Sequence, residues 1–236
     1  MAADGAHAGR VRYAQALVLA AALALAGGAA ADDRADVGPI LLLGDSILAW
    51  NAEVGASVAD VVAAKLGAEV VQAAVPGARV LGGPDPVPDQ YLPGPWRWVV
   101  VQGGGNDLVA ECGCGACEAA LDRLIGRDGK SGAIARLTER VRADGASVLL
   151  WSYYAMPDDA PFPFDRCNDE LVEVHARLAR LAARDDGIVL VDGREVVRPA
   201  RTDLYDRDRV HPSPAGSRAI GVQLAEVLVD ADLGRP

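Results

Sequence analysis

The sequence predicts an α/β protein in which one parallel sheet is covered by helices on both faces. Three observations carry this reading. Short apolar runs alternate with longer segments of helical character from residue 40 onward in the 236-residue chain. The runs are near-continuously apolar, the pattern of strands buried on both faces. The first three of them also lead into Gly-Asp-Ser, Val-Pro-Gly and Gly-Gly-Gly-Asn-Asp, residues suited to turning a chain at a strand's end.

Taken in order, Ile40-Leu41-Leu42-Leu43 is the first strand, and a helical pattern follows over residues 57–66. Residues 69–73 make the second strand. A loop dense in turn formers, Gly82-Gly83-Pro84-Asp85-Pro86 with Pro88 beyond, leads to the third at 98–102. Helical segments at 118–125 and 133–143 precede the fourth strand, 148–153. A long helix over 167–184 repeats Leu171, Val174, Leu178 and Leu181 at helical spacing. The fifth strand is 188–191, and 215–229 is the closing helix, with Pro214 suited to its first turn. Five strands so interleaved fit a flavodoxin-like doubly wound domain.

Residues 1–31 read as a secretory leader. Arg10 and Arg12 form a basic start, residues 14–26 are an apolar stretch of Ala, Leu and Val, and Gly27-Gly28-Ala29-Ala30-Ala31 places small residues before Asp32. The stretch is short for a membrane span. Cleavage is therefore expected, an uncleaved N-terminal anchor being the alternative. Residues 32–236 are then a single periplasmic or secreted domain with no stable membrane insertion. The net charge is −10, and the leader itself is basic, so the remainder is more acidic still. That excludes a nucleic-acid footprint. The acidic residues are scattered and say little about substrate.

Cys112, Cys114 and Cys117 are clustered, and Cys167 follows fifty residues later. In an exported chain they are expected as two disulfides. A Cys112–Cys114 bridge would strain its short loop. Cys112–Cys117 with Cys114–Cys167, or Cys114–Cys117 with Cys112–Cys167, both remain open. A four-thiolate zinc site is the other use of such spacing. In every case the role is structural, tying the segment after the third strand to the region of Cys167.

The candidate chemistry starts at Ser46. A strand ending in Gly44-Asp45-Ser46 delivers a hydroxyl to the carboxyl edge of a sheet, where open α/β sheets bind ligands. A helix opening there would aim its first N–H groups at the same spot. Of three histidines, His7 lies in the leader and His175 mid-helix. His211 lies in Asp208-Arg209-Val210-His211-Pro212, and Pro212 biases it toward an extended backbone. Asp208 is placed to accept from its imidazole, with Asp203 and Asp206 as nearby alternatives. The second strand ends in Val75-Pro76-Gly77, whose Gly77 N–H is a candidate oxyanion donor. In Gly103-Gly104-Gly105-Asn106-Asp107, Asn106 offers a side-chain amide to the same charge. Tyr153, Tyr154, Met156, Phe162, Phe164, Leu48 and Trp50 are candidates for an acyl or aryl pocket, or for loop packing.

This set resembles the SGNH, or GDSL-type, hydrolase family. Gly44-Asp45-Ser46, Gly77, Gly104-Gly105-Asn106-Asp107 and Asp208-x-x-His211 match its four blocks in order, each at the end of its element. The resemblance runs from about Ile40 to the last helix. It implies an SGNH-hydrolase-like fold and hydrolysis of an ester or thioester through an acyl-Ser46 intermediate. His211 would be the base, Asp208 its partner, and Ser46, Gly77 and Asn106 the oxyanion hole. It calls for no metal or cofactor. A small-molecule, lipid or glycan ester is the expected partner. An acyltransferase or deacetylase acting on a glycan, or a non-catalytic glycan- or lipid-binding protein, are the other classes. One departure stands out: the second block commonly carries an asparagine where Gln72-Ala73-Ala74 lies here. No Gly-x-Ser-x-Gly elbow occurs.

Overall fold

The computed structural model describes residues 37–234, so the expected leader lies outside the described residues. Five strands form one sheet: β1 (Ile40–Leu43), β2 (Val70–Gln72), β3 (Trp98–Val101), β4 (Ser147–Ser152) and β5 (Ile188–Asp192). All neighbours are parallel, in the order β2-β1-β3-β4-β5. Leu42 lies opposite Gln72 on one side and Val100 on the other, and Val100 opposite Leu149. Every residue of β1, β3 and β4 is buried, which requires cover on both faces and explains their unbroken apolar runs. The fold expected from the sequence is the fold observed.

Among the described residues seven α-helices accompany the sheet: α1 (Ser46–Ala49), α2 (Val58–Leu66), α3 (Gly105–Cys112), α4 (Glu118–Leu124), α5 (Ala133–Ala143), α6 (Asn168–Ala182) and α7 (Pro214–Leu233). Local signals set their ends. Ser57 and Asp60 form a reciprocal capping box at the start of α2. Ser213 caps α7 from the position before Pro214. Helices α2 and α7 pack together over one another. At that crossing a Cβ on Gly221 would stand 2.6 Å from Val61 Cβ, so the close approach depends on the glycine.

Residues 105–112, to which the sequence pattern assigns no helix, form α3. Two glycines at its start depress the helical signal, and the apolar face is only Leu108 and Val109. The closing helix also runs to Leu233, beyond the expected 229. Its last turn is held by Asp232, which pairs with Arg97 at 2.6 Å.

The cysteines form Cys112–Cys117 and Cys114–Cys167. All four sulfurs are thereby used, and the start of α6 is tied to the turn after α3. A second tie lies nearby. Arg177 of α6 is 1% exposed and meets Glu118 at 2.6 Å, Asp122 at 2.7 Å, Glu173 at 2.7 Å and the Ile125 carbonyl at 3.0 Å.

Strand order reverses at β1. The chain moves outward to β2, then returns past β1 to β3. The crevice beyond the carboxyl ends of β1 and β3 is thus the topological switch point, where ligands bind in such sheets. The residues that follow those two strands begin with Gly44 and Gln102.

Candidate active site

Ser46 is the first residue of α1, directly after β1. Asp45 caps that helix, its carboxylate accepting from the Ile47 N–H at 2.9 Å. As a first-turn residue, Ser46 has no intrahelical acceptor for its own N–H. Two glutamines brace the turn. Gln90 holds both the N–H and the carbonyl of Gly44, at 2.8 and 2.9 Å, and Gln102 accepts from the Asp45 N–H at 3.0 Å.

Beneath the serine is a buried relay. The Tyr153 hydroxyl donates to Asp45 Oδ2 and accepts from the Gly105 N–H at 2.9 Å. Burial raises the Asp45 carboxyl despite the hydrogen bonds it accepts. Burial, and then the Asp45 carboxylate beside it, push the Tyr153 phenol well above its ordinary range. The relay fixes the start of α1 against the start of α3.

His211 arrives on the loop before α7. Its Nε2 lies 2.8 Å from Ser46 Oγ, and its Nδ1 lies 2.5 Å from Asp208 Oδ2. Asp208 Oδ1 accepts from the Val210 and His211 N–H groups at 3.0 and 2.9 Å, so the carboxylate is oriented by its own loop. Burial acts to raise the Asp208 carboxyl, and these hydrogen bonds outweigh it and hold the group below its ordinary value. In this geometry an imidazole can accept a serine proton while a carboxylate steadies the resulting cation. Of the alternative acids, Asp203 pairs with Arg201, and Asp206 accepts the Trp50 indole N–H at 2.8 Å.

The other sequence-predicted residues separate. Asn106 borders the same small cavity as Ser46 and His211, and donates one amide N–H to the Ala78 carbonyl at 3.0 Å. Gly77 lies outside that lining. It occupies the third position of a Pro76-Gly77 turn closed by Ala78 N–H to Val75 O at 3.1 Å, where its φ of 79° favours glycine. The Asn106 bond ties the end of that turn to α3, and Asp107 ties down the residues just beyond it, accepting the Val80 and Leu81 N–H groups at 2.8 Å each. Asp107 was visible in its motif, but only the fold reveals this work. Gln102 carried a faint signal, a polar residue closing an apolar run; Gln90 carried none.

The cavity beside Ser46 has a volume of about 30 Å³, with Ile47, Tyr153, Met156, Phe164, Leu171 and Val210 among its walls. Cys167 also borders it. Tyr154 instead packs edge-on to Trp151 and Tyr205, Leu48 is fully buried, and Phe162 is 70% exposed. A separate open groove of about 540 Å³ runs past Trp50, Asn51, Glu53, Gln72 and Pro76.

His175 lies apart from Ser46, hydrogen-bonded through Nδ1 to Ser152 Oγ at 2.8 Å. Ser152 is 1% exposed, which closes it to any substrate.

Comparison with known proteins agrees with this architecture. The model of the GDSL-like Lipase/Acylhydrolase family matches residues 42–219. A protein from Slackia heliotrinireducens assigned to the SGNH hydrolases is 28% identical. It superimposes with a TM-score of 0.55 over 80% of this chain and 97% of its own. The lipase/acylhydrolase from Enterococcus faecalis is 17% identical, with a TM-score of 0.60 over 81% and 95%. A family two carbohydrate esterase from Clostridium thermocellum is 18% identical, with a TM-score of 0.54 over 81% and 63%. Comparison with curated proteins gives no match. With three-quarters of its length inside the family model and the four motifs on their expected elements, the chain belongs to the GDSL-like lipase/acylhydrolase family and is an SGNH-type ester hydrolase.

Proposed function

We propose that the protein hydrolyses short-chain carboxylic esters through an acyl-Ser46 intermediate. The observation that carries this is the continuous contact from Ser46 Oγ through the His211 ring to Asp208, at 2.8 and 2.5 Å. His211 Nε2 takes the Ser46 proton as Oγ bonds to the acyl carbon, and the carbonyl oxygen becomes an oxyanion. Ser46 and Asn106 border the cavity where that charge forms, and the Ser46 N–H and the Asn106 amide are its donors. The C–O bond to the alcohol breaks, and the alcohol leaves with the proton from His211. Water, deprotonated by His211, attacks the acyl-serine, and the acid departs as Ser46 regains its proton.

One feature supports the substrate reading. The cavity beside Ser46 is small, about 30 Å³, and its largely apolar walls favour a short acyl group over a long one. The carbohydrate esterase among the similar structures makes an acetylated sugar a second candidate substrate. We also infer export, supported by the leader-like residues 1–31 and by two disulfides. N-terminal sequencing of the secreted or periplasmic fraction checks this: a mature chain beginning at Asp32 is expected, and a cytoplasmic full-length product refutes it.

The test of the chemistry uses a fluorophosphonate label with p-nitrophenyl acetate, p-nitrophenyl octanoate and glucose pentaacetate as substrates. Ser46→Ala and His211→Ala should each lose labelling and about 10³-fold or more of turnover. Asp208→Asn should retain the fold and lose about 10⁴-fold in kcat. Acetate should be preferred to octanoate. A well-folded wild type that neither labels nor turns over any of the three would sink the reading.

A further inference from the structure

His211 is held on a third side that the proposed reaction does not mention. The indole of Trp50 lies flat against its imidazole, with ring centroids 3.7 Å apart and planes within 5°. The indole is itself fixed. Its Nε1–H donates to Asp206 Oδ2 at 2.8 Å, and the Asp206 N–H donates to the His211 carbonyl at 2.7 Å. The neighbouring Asn51 donates its amide to the Pro212 carbonyl at 3.0 Å and to Ser217 Oγ at 2.9 Å. The end of α1 therefore grips the histidine loop on both sides of His211.

The stack has a chemical preference. Two neutral aromatic rings favour offset or edge-on contact over close parallel overlap. An imidazolium over an indole face is attractive, since the ring's negative face meets a cation. In taking the Ser46 proton His211 gains that charge, so the contact strengthens toward the transition state, as a rate-raising contact must.

We propose that Trp50, anchored by Asp206, is a positioning residue for the base: its face stabilises the charged form of His211 during acyl transfer. This rests on the acyl-Ser46 reading above. Trp50 acts through His211 and leaves the cavity that receives the acyl group unchanged. Its loss should therefore lower kcat with little change in KM.

The decisive comparison is Trp50→Phe against Trp50→Met, measured as kcat and KM on p-nitrophenyl acetate and as the fluorophosphonate labelling rate. Both variants lose the indole N–H and have similar bulk; only phenylalanine keeps a π face. Trp50→Met should fall about 10-fold or more in kcat and in labelling rate, with KM within about 3-fold. Trp50→Phe should recover most of that loss. Asp206→Ala provides a second route if Trp50→Met fails to fold. It frees the indole without altering the stacked rings, and should lower kcat about 3- to 10-fold at constant KM. Equal rates for the methionine and phenylalanine variants, a loss confined to KM, or wild-type kcat in Asp206→Ala would overturn the proposal. The wild type and Ser46→Ala run beside them separate the two ideas. An inactive, unlabelled wild type defeats the acyl-serine reading itself, whereas an active wild type with indifferent Trp50 variants defeats only the role of the stack.

Discussion

Tyr153 shows how much one hydroxyl can organise. It stands at the end of β4, outside the motif blocks, yet it joins the residue before the nucleophile to the first residue of α3. Removing the hydroxyl leaves the Gly105 N–H and one Asp45 oxygen buried without that partner. Tyr153→Phe should cost about 1–3 kcal/mol, read from the urea midpoint. It should also lower kcat on p-nitrophenyl acetate, because Gly105 sets the placement of Asn106. Unchanged stability and unchanged kcat together would show the relay to be dispensable. At this scale the sequence was informative about chemistry and nearly silent about support. Ser46, His211 and Asp208 announce themselves by type, order and neighbours. The work of Tyr153, Gln90, Gln102 and Asp107 depends on meetings between segments 26 to 108 positions apart, which no local pattern encodes.

The elements divide similarly. Strands were legible because double-sided burial writes itself as unbroken Val, Ile and Leu, and long helices because of their periodicity. Helix α3 was hidden by the glycines that open it, and only four residues of α1 follow its cap. The two disulfides act on these elements unequally. In the chain-entropy view, Cys114–Cys167, spanning 53 residues, is worth about 4 kcal/mol and Cys112–Cys117, spanning 5, about 2. Replacing the first pair by serine should therefore lower the urea midpoint more than replacing the second. Because Cys167 borders the acyl cavity, it should also raise the ratio of octanoate to acetate hydrolysis. The Cys112/Cys117 pair of replacements should leave that ratio alone. The reverse ranking in either measurement would contradict this assignment of roles.

For the whole molecule, the doubly wound order was implied by composition and alternation, and the switch point followed from it. The sequence left the cysteine pairing open because both connectivities satisfy the same spacing, and the fold chose between them by where α6 begins. The molecule also carries a pH sensitivity no motif would disclose. Burial raises the phenols of Tyr91 and Tyr205 from an ordinary value of 10.0 to about 12, and pushes Tyr153 and Tyr154 well above that ordinary value too. Groups whose folded value is raised stabilise fully below the unfolded value and lose that contribution as pH climbs through the folded one. The urea midpoint should thus fall between pH 10 and about 12, and Tyr205→Phe should make that fall shallower. An identical slope in the variant would remove Tyr205 from the account.

The distance along the chain between Ser46 and His211 has a consequence for biosynthesis. The nucleophile is laid down with the first strand of the sheet, and its base comes 165 residues later, just ahead of the last helix. A nascent or truncated chain that ends before that loop carries the serine without anything to activate it. Such a chain cannot attack esters it meets while still unfinished. Catalysis in this architecture is therefore a report that the C-terminal segment has docked, and the appearance of turnover during refolding times the last step of assembly.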